Sequence, residues 1–236
     1  MNNDKGFQEE ENPFALSIGD AMAALLLVFV LILSAILLEL EETKEKQNIV
    51  ITEYKNLKQE IYSELYKEFK GDLIEWGAEL DSVSLSFKFN EPDVLFASNS
   101  SVLKPEFQRI LNDFFPRYIR ILRKDQFINN IEEIRIEGHT SSEWLYTTTE
   151  DFAYTENMRL SQDRTRTTLD FVLNQLENSE IKTWAKTLIT ANGLSSSQLI
   201  LNKDSTENKE ASRRVEFRVR TDAEKRIDEL LRLIED

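Results

Sequence analysis

The chain has 236 residues, no cysteine, and a formal net charge of −14 at pH 7. That length holds one globular domain together with a membrane segment and a stalk. The negative balance argues against a surface built to grip nucleic-acid backbone and against adhesion to anionic lipid. The missing cysteines exclude disulfides, thiolate metal sites, cysteine nucleophiles and an N-terminal lipoprotein anchor, and they fit an oxidising compartment.

Residues 1–13 are polar and form a short N-terminal segment. Residues 14–38 then read FALSIGDAMAALLLVFVLILSAILL, an apolar run long enough for a spanning helix, with Asp20 as its only ionisable residue. A cleaved signal peptide fits poorly. The leader holds one lysine, Lys5, against Asp4, Glu9, Glu10 and Glu11, and no small-residue cleavage site follows the long core. A carboxylate inside such a run costs about 2.5–3.5 kcal/mol on insertion scales, and the usual reason to carry one is ion or proton handling. The alternative is that Asp20 is an interfacial N-cap. A helix over 21–38 alone would be roughly 27 Å long, enough for a bilayer core with flanking adjustment.

Glu39 to Lys46 mark the exit into water. Across residues 39–77 the pattern stays helical. Val50, Tyr54, Leu57, Ile61, Leu65 and Phe69 form one apolar stripe, which predicts a stalk with a two-helix seam. A helix packed onto its own domain is the competing reading. The domain proper is expected over 78–221. Val83, Leu85, Phe87 and Phe89 alternate as a strand, and Pro105 opens a helix that Pro116 should bend or divide. A strand follows at Ile131–Gly138, then a polar loop over Ser141–Thr155 and a helix over Asn157–Leu176. Next come a helical turn at Trp184–Ile189 leading into an extended piece, another polar loop, and a strand at Arg214–Arg220. Residues 222–236 read as a charged C-terminal helix. The expected fold class is α/β: a single N-terminal transmembrane helix, a helical stalk, and a sandwich with helices covering one face of a mixed sheet.

Four patches in order, DVLFASNSSVLKPEFQRIL (93–111), IRIEGHT (134–140), ENMRLSQDR (156–164) and ASRRVEFRV (211–219), resemble the OmpA C-terminal, peptidoglycan-binding family. The resemblance implies a groove for the wall stem peptide, reading the carboxylate and amine of its diamino acid. Asn157, Leu160 and Arg164 match the N-x-x-L-S-x-x-R motif and are the implied ligand residues. A planar guanidinium suits bidentate capture of a carboxylate; an exposed helical ion pair is the plainer role for Arg164. Ser141 stands where many members of that family have an aspartate for the ligand's amine, so another acid is expected to meet it or the ligand differs. His139, the sole histidine, is expected to brace a strand end. Exposed aromatics such as Trp144 and Tyr146 could contact glycan or pack their loop. No catalytic triad, metal-protease motif or phosphate loop is visible, so no enzyme, metal or cofactor is expected.

An acid near one end of a single span, then a stalk, then such a domain, resembles the MotB class of stator subunits. Within that class the chain is similar to the B subunits of Zorya anti-phage defence systems. The resemblance implies proton carriage by Asp20, a homodimer, and a multi-span MotA-like partner of the Zorya A type. Peptidoglycan is the implied anchor, with no direct contact to nucleic acid. It also implies the bacterial inner membrane, with the N-terminus cytoplasmic and the large domain periplasmic. Lys44, Lys46, Lys55 and Lys58 against Lys5 argue the opposite orientation by the positive-inside rule. A flagellar stator subunit and a passive wall tether are the alternative readings.

Overall fold

A computed structural model describes residues 13–90, 92–97, 99–144 and 149–222. Tyr146, the N-terminal segment up to Asn12 and the expected C-terminal helix beyond Asp222 lie outside them. The chain forms two compact units, Met1–Ile51 and Thr52–Asp236. Helix α1 (Pro13–Phe69) contributes to both.

In the first unit, Ile18–Ile49 is long and apolar enough to cross a membrane. Its large side chains from Ile18 to Leu40 are exposed, Leu25 at 75 % and Leu38 at 67 % among them.

The second unit is built on a five-stranded mixed sheet of order β1-β2-β5-β3-β4. Its strands are β1 (Ala78–Asp81), β2 (Ser86–Phe89), β3 (Ile131–Gly138), β4 (Ile189–Gly193) and β5 (Val215–Thr221). Only β3 and β4 run parallel, and helices α4 (Glu150–Asn174) and α5 (Ser179–Leu188) lie between them in the chain. On one face Phe87, Phe89, Ile134, Ile136 and Phe217 are fully buried, and α3 (Pro105–Leu122) supplies Phe107, Phe114, Phe115 and Tyr118 to the same core. The other face carries charge. In register, Glu137 faces Glu216 and Arg135 faces Arg218, so like charges sit opposite each other. Neighbours along each strand compensate, as in Arg214–Glu216 at 2.6 Å.

Four expectations need correction. The apolar stripe does not form a two-helix seam over Ile61, Leu65 and Phe69, which are fully buried in their own domain's core. The strand starting at Val83 gives way to a hairpin. Asp81 accepts hydrogen bonds from the amides of Val83 and Ser84, and Leu85 takes φ 50°, which turns the chain and leaves Val83 77 % exposed. Pro116 does not divide α3, because Tyr118, Ile119, Ile121 and Leu122 beyond it are buried and hold the helix on the core. Finally, α4 begins at Glu150, capped by Thr149, so Glu150–Thr155 of the expected polar loop is helix.

Candidate functional site

The motif helix is placed by close contact. On α4, Asn157, Ser161, Thr165, Thr168 and Val172 are buried at helical spacing and face the sheet. Gly138 and Gly193 permit the approach. A Cβ on Gly138 would lie 2.7 Å from the Thr165 methyl and 2.8 Å from the Ser161 carbonyl, and one on Gly193 would lie 2.4 Å from the Gln162 amide. No side chain fits there without shifting backbone.

Polar clamps then fix the surrounding loops. Asn157 donates both hydrogens of its amide, to the Ser141 carbonyl at 3.2 Å and the Glu143 carbonyl at 3.0 Å. The Ser161 hydroxyl accepts from the Ser195 amide at 3.1 Å, and Ser195, buried at φ 51°, donates its own hydroxyl to the Tyr154 carbonyl. The amides of His139 and Thr140 donate to the Arg214 and Ser195 carbonyls. The end of β3 is thereby tied to β5 and to the loop after β4.

Arg164 projects from this frame into a pocket whose walls are Leu95, Phe96, Gly138, His139, Arg213, Arg214 and Val215. Its Nε donates to the Ser100 carbonyl at 2.9 Å, and its guanidinium carbon sits 4.8 Å from the centre of the Phe96 ring. Its two terminal nitrogens make no hydrogen bond among the described residues, and neither Arg164 nor Arg213 has a carboxylate partner there. Burial, and then the charge of Arg213, pull the Arg164 pKa down to about 10. Arg214 differs: its charge is matched by Glu216, and it also donates to the Gln198 and Ser212 carbonyls.

Of the expected ligand residues, only Arg164 lines this pocket. Asn157 is 3 % exposed and occupied in holding the 141–143 loop, while Leu160 is 9 % exposed on the same helix and outside the pocket wall. Asp20 lies on α1 in the other unit, exposed. No acid lines the pocket among the described residues. Ser141 is buried, Glu207 accepts from the Ser142 amide and hydroxyl, and Glu143 pairs with Lys209.

Beneath the pocket, His139 Nε2 lies 3.8 Å from a Glu137 oxygen and 3.7 Å from a Glu216 oxygen, with all three residues buried. Such a trio could hold a metal ion, but its charge is already met by Arg214 on Glu216 and by the positive field of Arg218, Arg135 and Arg214 on Glu137. Burial, then Arg214, lower the His139 pKa to about 4, so the ring is neutral near pH 7. Burial raises the Glu137 pKa; for Glu216 it does the same but is outweighed by Arg214, and the net shift is downward.

A curated relative, the Zorya protein ZorB of Escherichia coli (strain ATCC 8739), is 42% identical over 224 residues, covering 95% of this chain and 94% of its own. The chain belongs to the ZorB family. No protein-family model matches it. Among solved structures, a MotB-like protein from Desulfovibrio vulgaris covers 72% of this chain and 98% of its own at 23% identity and a TM-score of 0.52, a likeness of fold. The cell wall anchor of the type VI secretion system of Pseudomonas aeruginosa aligns at a TM-score of 0.45, with 22% identity over 66% of this chain and 96% of its own. For this ZorB-family chain, sequence reasoning singled out Arg164 and missed Arg213 as its pocket neighbour. The signal was present in the R-R-V-E patch, read there as a fold marker only.

Proposed function

We propose that this chain is the wall-anchored subunit of an ion-driven inner-membrane motor belonging to an anti-phage defence complex. The observation that carries the reading is the union, in one ZorB-family chain, of an apolar run over 14–38 whose only ionisable residue is Asp20 and a domain presenting a half-buried arginine with no carboxylate partner among the described residues. Asp20 carries the proton. Ser17, Ala23 and Ala24 stand three or four residues from it on the helix, and small residues let a partner helix come close. Shielding by a multi-span MotA-like partner of the Zorya A type would favour the neutral acid, so that gain and loss of H⁺ exchange one helix contact for another. Each proton crossing the membrane supplies about 2.3 kcal/mol per 100 mV.

The C-terminal domain fixes the assembly to peptidoglycan. Arg164 takes a carboxylate of the wall end-on through its terminal nitrogens, Leu160 stands behind it on the same helix, and Asn157 holds the 141–143 loop. This places the N-terminus in the cytoplasm and the large domain in the periplasm, with two copies of the chain in each assembly. The chain performs no catalysis of its own.

Two substitutions test the reading. Asp20→Asn should abolish phage resistance while membrane accumulation and sedimentation with purified sacculi persist; full resistance would remove the motor and leave a tether. Arg164→Ala should weaken sacculus binding roughly tenfold or more, since a charged hydrogen-bonded contact contributes about 1.5–3 kcal/mol. Unchanged sedimentation would take Arg164 out of the site.

A further inference from the structure

The two edges of the sheet are finished differently. At one edge, β1 is four residues long, carries Glu79 and Asp81, and has its Ala78 amide bonded to the Leu73 carbonyl. Shortness and charge of this kind keep an edge from pairing with another chain. At the other edge, β4 runs over Ile189–Gly193 with no ionisable side chain, no proline and unbroken register against β3. We propose that β4 is the strand by which two copies of this chain join, pairing antiparallel across a two-fold axis at Ala191. This deepens the reading of two copies in one assembly and rests on it.

The direction of each backbone group follows from the bonds already made. The Leu194 amide donates to the Gly138 carbonyl, so Asn192 and Thr190, at alternate positions before it, also turn their backbone groups toward β3. Ile189, Ala191 and Gly193 therefore point theirs outward. The Ile189 amide is taken by the Ala185 carbonyl at the end of α5. The amides of Ala191 and Gly193 and the carbonyls of all three residues have no hydrogen-bond partner among the described residues. Every residue of β4 is partly exposed.

This set matches itself. Turned about Ala191, each Ala191 amide meets the other copy's Ala191 carbonyl, and each Gly193 amide meets the other copy's Ile189 carbonyl. Every free amide is then satisfied, and the occupied Ile189 amide is not called on. The side chains fit the same axis. Thr190 and Asn192 lie on the charged face of the sheet, bonded to each other, with Thr190 also on Glu133. The axis sets Thr190 of one copy opposite Asn192 of the other, neutral against neutral. In a chain of net charge −14, that lets two copies meet without opposing like charges. So short a pairing buries far less than the ~1,200–2,000 Å² of a free-standing interface. It acts between copies already held in one assembly, where each sees the other at a high effective concentration.

Cysteine pairing tests the proposal, since the chain has no cysteine of its own. Residues facing each other at a non-hydrogen-bonded antiparallel position stand about 4.5 Å apart at Cα, within disulfide reach. Two differently tagged full-length copies, one Thr190→Cys and the other Asn192→Cys, are co-expressed and oxidised in membranes. The mixed pair should give a covalent dimer, and either variant alone should not, because the axis holds its two thiols apart. Absence of the cross-link would overturn the pairing, as would equal cross-linking by the mixed pair and the single variants. Protection of both thiols from maleimide without a cross-link would overturn it too, and give the edge to a strand of another protein. Capture of one tag separates the two levels. If the second tag follows but no disulfide forms, only the β4 pairing fails. If the second tag is left behind, the two-copy reading falls and the pairing with it.

Discussion

His139 shows how one side chain can tie stability to acidity. Both its ring nitrogens are buried without a hydrogen-bond partner. Glu137 and Glu216 lie near it, and Arg214 and Lys88 add positive field. Its folded pKa of about 4 lies below the ordinary value of 6.5, so between those limits the unfolded chain binds the extra proton. Stability from this group is complete above pH 6.5 and is lost as pH falls toward 4, by about 3 kcal/mol over the full interval. Glu137, held up by burial, contributes the opposite slope, so the comparison must be between proteins. In urea titrations the stability gap between the parent chain and His139→Gln should therefore shrink steadily from pH 7 to pH 4. A constant gap would mean that the ring does not titrate in that window. The two glycines at the strand ends argue from space. Gly193→Ala drives a methyl into the backbone of Gln162 and Gly138→Ala drives one into Ser161 and Thr165, whereas Gly71→Ala meets nothing within 4 Å. Thermal melts should show the first two destabilised by about 1–3 kcal/mol, as overpacking costs, and the third close to the parent.

At the scale of elements, the C-terminal turns of α1 belong to the domain energetically. Phe69 packs its ring 5.1 Å from Phe87 and 5.4 Å from Phe114, with the Arg117 guanidinium 4.7 Å above it. Arg117 in turn pairs with Glu68, Asp72 and Asp113. Phe69→Ala should cost about 3–5 kcal/mol. A fragment from Ala78 onward, which loses Ile61, Leu65, Phe69 and Trp76 together, should show no cooperative unfolding transition, while one from Thr52 should unfold sharply. Cooperative melting of the shorter fragment would return this helix to the role of a stalk. The stripe Ile61–Leu65–Phe69 was plain in the sequence, but periodicity reports only that a face is covered, not by what. Strands β2, β3 and β5 and helices α3 and α4 were legible because alternation or helical spacing ran for most of each. β1 was not: Ala78–Asp81 is four residues long, and its pairing with β2 is set by the Asp81 turn. The site was half legible. The motif resemblance singled out Arg164 as a candidate, but the inward turn of Asn157 and the presence of Arg213 in the same pocket depend on packing between elements distant in the chain.

On the scale of the whole molecule, the net charge of −14 makes attachment to an anionic wall a contest between two electrostatic ranges. The chain as a body is repelled, and that repulsion acts through water. It is screened beyond about 10 Å at 0.1 M salt. On the proposed reading the attraction would come from Arg164 in a half-buried pocket, where mobile ions enter poorly. Raising salt from about 0.05 to 0.3 M should therefore remove more of the repulsion than of the attraction, and sacculus binding should hold level or strengthen. A basic surface patch would give the reverse, a steady loss with salt. Pelleting of the full chain with sacculi across that range distinguishes them, with Arg164→Ala as the reference for what repulsion alone leaves. A steep fall in binding for the parent chain would place the attachment on exposed lysines and arginines instead of the pocket.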